Sequence, residues 1–454
     1  MLLLLWQNAM AQEVIGIDRF LTQIEQNHPV AKQADLKIAQ SLATVLASKG
    51  IFDPQLNYSF DNKKLGGVTY YNYDHTELQM FTPLGVKIKA GVENSAGNFI
   101  NPEMSKGTYS YLGMELPLLR NLLLDKKRAA LQQAEVMVQA SEVERRAMLN
   151  QLYQEALYDY YSWAAAYMQV SIVRQNLLLA ENRLKLTRIL WQNGDKSAID
   201  STEARSQWLS IQLQTEDAML ALERAKINIS NYLWNENAEP YLLTDMQIPD
   251  TLAFLRIPGI QSLNELISNV NANPELQAYD FKRSNLAIER RLKRQAFLPE
   301  LNLKLNTLSK NYFSFENTAN SYLNENYKIG VGFQIPLFLR EARGEFQKIE
   351  LKIKELDFDQ KLKLWDLENK LRTAQKELTT LNEQLEISQE LVNNFDSLLS
   401  LEELRFREGE SSLFVINSRQ NKLLETQLKL NDLLKKYQQT WYKQQWAAGL
   451  LFTP

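Results

Sequence analysis

Residues 118–239 contain no proline and a single glycine, Gly194. Proline and glycine interrupt helices more strongly than any other residues. The stretch therefore predicts two very long helices folded back at Gly194. The reversal reads Trp191-Gln192-Asn193-Gly194-Asp195-Lys196-Ser197. Asn-Gly supplies a residue that takes positive φ where a helix ends, and Asp195 or Ser197 can cap the next helix. Along the first arm Leu149, Leu152, Ala156, Tyr160, Trp163, Tyr167, Val170, Val173, Leu177, Ala180 and Leu184 recur at steps of three and four. That is the seam of a coiled coil.

The plan occurs twice. Pro29 and Pro54 reappear as Pro274 and Pro299, both 245 positions on. Asn27-His28-Pro29 answers to Asn273-Pro274, and Asp53-Pro54 to Leu298-Pro299. Proline-punctuated segments kept in step over this distance are an internal repeat. After each second proline comes a strand-like alternation, Leu56, Tyr58, Phe60 in the first copy and Leu301, Leu303, Leu305 in the second. Each copy then closes on a matching junction, Leu116-Pro117-Leu118 and Ile335-Pro336-Leu337. A second helical hairpin follows, with Gly409 at its reversal. The predicted first repeat is 12–239, with helices 17–50, 121–192 and 196–235 and strands within 55–116. Residues 240–261 form a connection. The second repeat is 262–454, with helices 262–297, 340–408 and 412–448 and strands within 300–335. Helix 121–192 would be about 108 Å long at 1.5 Å per residue, a length that two short helices stacked end to end would match.

Composition removes several functions. Hydrophobic residues are 45% and charged residues 23%, so the chain is ordered. A net charge of −3 argues against nucleic acid as a partner. The basic run Arg290-Arg291-Leu292-Lys293-Arg294 has no aromatic platform beside it and reads as a solvated helix face. There is no cysteine, hence no disulfide, thiol nucleophile or thiolate metal site. His28 and His75 have no partner at metal-ligand spacing, and no phosphate loop or nucleophile elbow occurs. Neither enzyme activity nor a cofactor or metal is expected. The run Met1-Leu2-Leu3-Leu4-Leu5-Trp6 followed by Ala9-Met10-Ala11 resembles the back half of a secretory signal peptide over 1–11, with the true start upstream. No other stretch approaches the length of an apolar membrane helix, so any spanning of a membrane must use strands.

A minimal plan gives two strands per repeat and four per chain. Four strands cannot close, and open edges are not tolerated in lipid. Several identical chains around one axis would close them. The first repeat has 26 extra residues between its prolines, including 76–93 with a turn at Pro83-Leu84-Gly85. They form either an added hairpin or an external loop. Aromatics crowd this part (Tyr70, Tyr71, Tyr73, Tyr109, Tyr111, Tyr312, Phe313, Phe315, Tyr322, Tyr327), as interface girdles or as ordinary strand formers.

In the order and spacing of these segments, from Ile17 to about Leu450, the chain resembles the TolC-type outer membrane efflux protein family. The turn pattern Arg188…Gly194…Ser197 and its second copy Arg405-Phe406…Gly409…Ser412 complete the likeness. The resemblance implies a mainly α fold with β. Duplicated helical hairpins form a periplasmic helical barrel, and four or more strands per chain join a trimeric, 12-stranded transmembrane barrel. It implies a homotrimer in outer membrane lipid of a Gram-negative bacterium, with a large periplasmic portion. The implied partners are a periplasmic adaptor and, through it, an inner-membrane transporter of RND, ABC or MFS type. The implied role is a passive exit duct for efflux or type I secretion. The competing reading is a periplasmic or intracellular coiled-coil scaffold. By resemblance Arg188, Asn193, Gly194, Ser197, Arg405, Phe406, Gly409 and Ser412 mark the tip where adaptors dock. Candidate gate residues are Asp200, Glu408, Glu410, Val415 and Ser418. Val415 and Ser418 stand where members of the family place an acidic ring, so Glu408 and Glu410 are the alternative source of that charge.

Overall fold

The computed structural model describes residues 13–100, 105–310 and 326–451. The signal-like run at 1–11 and Tyr312, Phe313, Phe315 and Tyr322 lie outside them. In chain order the first repeat contains β1 (Glu13–Ile15), α1 (Ile17–Asn27), α2 (Pro29–Gly50), β2 (Gln55–Leu65), β3 (Val68–Phe81), β4 (Lys87–Ala96), β5 (Gly107–Pro117), α3 (Lys126–Gln192) and α4 (Ala198–Ser230). The connection holds β6 (Gln247–Pro249) and α5 (Thr251–Leu255). The second repeat contains α6 (Leu263–Asn269), α7 (Pro274–Gln295), β7 (Glu300–Lys310), β8 (Tyr327–Gln334), α8 (Arg340–Arg407) and α9 (Leu413–Ala448).

Two expectations change. The helices predicted at 17–50 and 262–297 are each broken before their proline. Proline disfavours helical geometry in the residue it follows, and His28 and Asn273 are extended, with ψ 134 and 127. The repeat extends to the side chains at these breaks. His28 Nδ1 accepts the amide of Val30 at 3.2 Å, and Asn273 Oδ1 accepts the amide of Glu275 at 2.9 Å. The long helix predicted from 121 starts at Lys126 instead. Asn121 turns the chain with φ 68, and Asp125 caps the helix by accepting the Arg128 amide at 2.9 Å. Among the described residues the sheet has six strands, within the four or more expected.

Residues Lys37–Glu142 and Ala278–Lys361 form one of two compact units, and it holds that sheet. The strand order is β2-β3-β4-β5-β7-β8, antiparallel throughout. The extra residues of the first repeat are therefore a hairpin. Its inner turn is the one expected at Pro83-Leu84-Gly85, with Gly85 at φ 86 donating to Thr82 O at 2.9 Å. Register partners share a face of the sheet. Leu56, Leu78, Ala90, Leu112, Thr307 and Tyr327 are successive partners across all six strands. One residue away, the opposite face carries Gln55, Gln79, Lys89, Gly113, Asn306 and Lys328. The apolar row includes side chains as exposed as Leu56 at 72% and Tyr327 at 63%.

On the polar face His75 Nε2 lies 2.8 Å from the Tyr111 hydroxyl, which donates to Glu77. Tyr111 lies over Gly91, where an added Cβ would come within 2.6 Å of the ring. Glycine here admits the aromatic ring of a neighbouring strand. The basic run of α7 is a largely exposed face, as expected, and two of its members also meet carboxylates of α8, Arg290 with Glu350 at 3.4 Å and Lys293 with Glu345 at 2.7 Å.

The second unit, Met1–Leu36, Val143–Gln277 and Leu362–Pro454, contains the main hydrophobic core. Its centre is the α3 seam expected from the heptads, with Leu149, Ala156, Tyr160 and Trp163 at most 1% exposed. β1 pairs with β6 in parallel, and Tyr160 secures both by donating to Ile15 O at 2.7 Å and accepting the Asp250 amide at 3.1 Å.

His28 is enclosed by Tyr232 and Trp234, with ring centroids 6.1 Å away in each case. Burial pushes its imidazole below the ordinary value of 6.5, partly offset by a backbone hydrogen bond at Asn231. A neutral ring is required in the folded state, so its contribution is complete above pH 6.5 and lost as pH falls through the lowered value. Melting of this unit should therefore weaken below about pH 6.5. His28→Asn, which copies the second repeat, should remove that component of the pH dependence in thermal melts.

Candidate functional site

The two helix reversals are built alike. Gly194 (φ 88) donates to Trp191 O and Asp195 to Leu190 O. Gly409 (φ 82) donates to Phe406 O and Glu410 to Arg405 O. Both are Schellman-type ends, in which a left-handed glycine returns amides to the last carbonyls of the helix. The structure brings the two turns together, since Lys196 Nζ lies 4.5 Å from the centre of the Phe406 ring. Arg188, Asn193, Gly194, Ser197, Arg405, Gly409 and Ser412 are exposed there, and Phe406 is half-buried.

The helices that leave the turns start differently. Ser197 and Asp200 form a capping box. Ser197 Oγ accepts the Asp200 amide at 3.2 Å, and Asp200 Oδ2 accepts the Ser197 amide at 3.0 Å. These bonds hold the Asp200 carboxyl below its ordinary value. Ser412 begins α9 with no side-chain cap, and Val415, three residues on, has no carboxylate to complete a capping box. The acid present in one copy and absent from the other is thus first of all a helix-start residue. Glu408 and Glu410 are exposed, Ser418 lines an open groove between α4 and α9, and Val415 is half-buried. Arg405 reaches Glu402 at 3.8 Å and Glu410 at 3.9 Å.

A polar cluster behind the turns was not anticipated. Arg183 on α3 has a side chain only 11% exposed and donates to Glu403 on α8 at 3.0 Å. It also donates to Gln420 and, at 3.3 Å, to Asn417 on α9. Asn417 passes the connection to Glu203 on α4 at 3.2 Å. One guanidinium thus links both hairpins. Burial presses its pKa down and the Glu403 carboxylate opposes that shift.

The cluster ends a ladder of buried amides along α9. Gln420 donates to Asn176 O, Asn431 to Ala165 O at 2.9 Å, and Gln438 to Phe254 O and Arg256 O. The signal was in the sequence: Asn417, Gln420, Gln427, Asn431, Gln438 and Gln445 follow the three-and-four spacing of a seam. Polar residues at seam positions fix the register of packed helices.

Among the described residues no group of three or more potential metal ligands converges, and no helix is long and apolar enough to cross a membrane. Residues 267–444, most of the second repeat, match the family model for outer membrane efflux proteins. No curated protein matches the chain. Among solved structures the fold is similar to the Campylobacter jejuni outer membrane channel CmeC (17% identity, TM-score 0.65, 96% of this chain and 86% of that one). It is also similar to the Vibrio cholerae outer membrane protein VceC (14%, 0.65, 95% and 96%). A third is the open state of the Neisseria gonorrhoeae MtrE outer membrane channel (12%, 0.67, 97% and 92%). The chain therefore has the fold of the TolC-type outer membrane channels, and its second repeat carries the efflux-protein signature.

Replacing Arg183 with Met should cost about 2 kcal/mol, because it leaves the acceptors of Glu403 and Gln420 unmatched. Hydrogen exchange in 180–187 and 413–420 should speed up. Lys185→Met, which loses only an exposed pair with Glu181 on its own helix, should leave exchange unchanged.

Proposed function

We propose that the chain is one subunit of an exit duct in the outer membrane, three copies of which enclose a passage for cargo delivered from the inner membrane. The observation that carries this reading is the two-faced sheet. An apolar row and a polar row run side by side across every strand, and β2 and β8 leave open edges. An apolar outer face, a polar inner face and closed edges are what strands need to span lipid. A coiled-coil scaffold would leave that apolar face in water.

The helices favour association with further copies as well. Leu213, Leu220 and Ile227 on α4, and Leu351, Phe358 and Trp365 on α8, are exposed at intervals of seven. These are seams without a partner. In this reading the adaptor docks on the exposed turn residues, Arg188, Asn193, Gly194 and Ser197 with Arg405, Gly409 and Ser412. Glu408 and Glu410 supply the charge near the closure, while Asp200 starts its helix. The duct carries out no catalysis.

The test is fractionation followed by reconstitution. The protein should remain in the outer membrane after an alkaline wash, migrate as a heat-sensitive oligomer and conduct ions in planar bilayers. Recovery as a washable monomer without conductance would contradict the reading.

A further inference from the structure

Six strands per chain are more than the four that a 12-stranded, three-copy wall would use. We propose that all six enter the wall, so that β8 of one copy pairs with β2 of the next and three copies close eighteen strands. This rests on the three-copy duct proposed above and concerns how wide it is.

Three observations support it. The first is continuity. The row from Leu56 to Tyr327 and the adjacent row from Gln55 to Lys328 cross the first hairpin without changing face. On β2 itself Leu56, Tyr58 and Phe60 stand on the apolar side, and Asn57, Ser59 and Asp61 on the polar side. A flap lying outside the wall, in water, would gain nothing from this division and would expose the apolar side.

The second is attachment. β3 pairs with β4 through ten registered positions, from Asn72↔Ala96 to Phe81↔Lys87. A 12-stranded wall would have to strip those pairs to free β4 as an edge.

The third is direction. Because an even number of antiparallel strands separates the edges, β2 and β8 run in opposite senses. Their meeting between copies continues the antiparallel order, which closed membrane barrels keep. Both carry unpaired backbone groups that lipid does not tolerate.

With strands about 4.8 Å apart and tilted about 40°, eighteen strands give a wall radius of about 18 Å, against about 12 Å for twelve. Barrels of sixteen to eighteen strands leave an open aqueous channel. The membrane portion of this duct would then be no constriction for a bulky, solvated cargo.

The absence of native cysteine makes the test direct. Chains carrying Tyr58→Cys or Phe60→Cys together with Ile329→Cys or Val331→Cys would be oxidised in native outer membrane. A control set would combine Ala90→Cys or Val92→Cys with the same β8 positions. Electron-microscopic imaging of the unmodified oligomer would count strands independently. The expected result is a covalent ladder ending at three copies for at least one β2–β8 pair, none for β4–β8, and eighteen strands. Covalent β4–β8 ladders or a twelve-stranded wall would overturn the proposal and leave the duct reading intact. A monomer that washes off the membrane would end both.

Discussion

The two edges of the six-stranded sheet are the constraint on which the rest of the account depends. Among the described residues, β2 and β8 each pair on one side only, and the other side presents a row of backbone donors and acceptors. In water that is a hazard of association; in lipid it is forbidden. In the proposed duct the apolar row beginning at Leu56 faces lipid, and the edges then require further copies of the chain. Association is thus a condition of the sheet existing in a membrane at all.

The helical unit has the complementary problem. It holds its hairpins in one register while apolar stripes stay exposed. Its solution is chemical, because the seam of α9 replaces several leucines with amides that bond to backbone carbonyls of other segments. A leucine slips along a neighbouring helix at little cost, whereas an amide aimed at one carbonyl does not. Arg183 does the same near the turns, joining α3, α8 and α9 through a charge held below the surface. The stripes at Leu213, Leu220, Ile227 and along α8 carry no such amides and are left open.

Much of this could be read in the sequence because proline and glycine act locally. Gly194 and Gly409 mark reversals whatever surrounds them, and the duplication repeats the mark; the breaks before Pro29 and Pro274 are hidden because helical spacing continues across both. The strand count was not legible for a physical reason. β3 carries Tyr70, Tyr71, Asn72, Tyr73, Asp74 and His75 in succession, which blurs the apolar alternation. The Gly66-Gly67 turn that makes it a hairpin lies where a loop was equally acceptable. Asp200 was read by resemblance as a gate residue. Only the geometry shows its carboxylate occupied by Ser197. The buried amides of α9 were visible as letters, but a polar residue on a helix ordinarily means a wet face. Burial alone reverses that inference.

Residue-by-residue labelling on β7 distinguishes a sheet divided into a lipid face and a water face from one that is not. Leu303, Lys304, Leu305 and Asn306 alternate between the faces. Each would be replaced singly by cysteine in the membrane-inserted protein and treated with a membrane-impermeant maleimide. Reaction is expected at 304 and 306, and protection at 303 and 305. Equal reaction at all four positions would contradict the division.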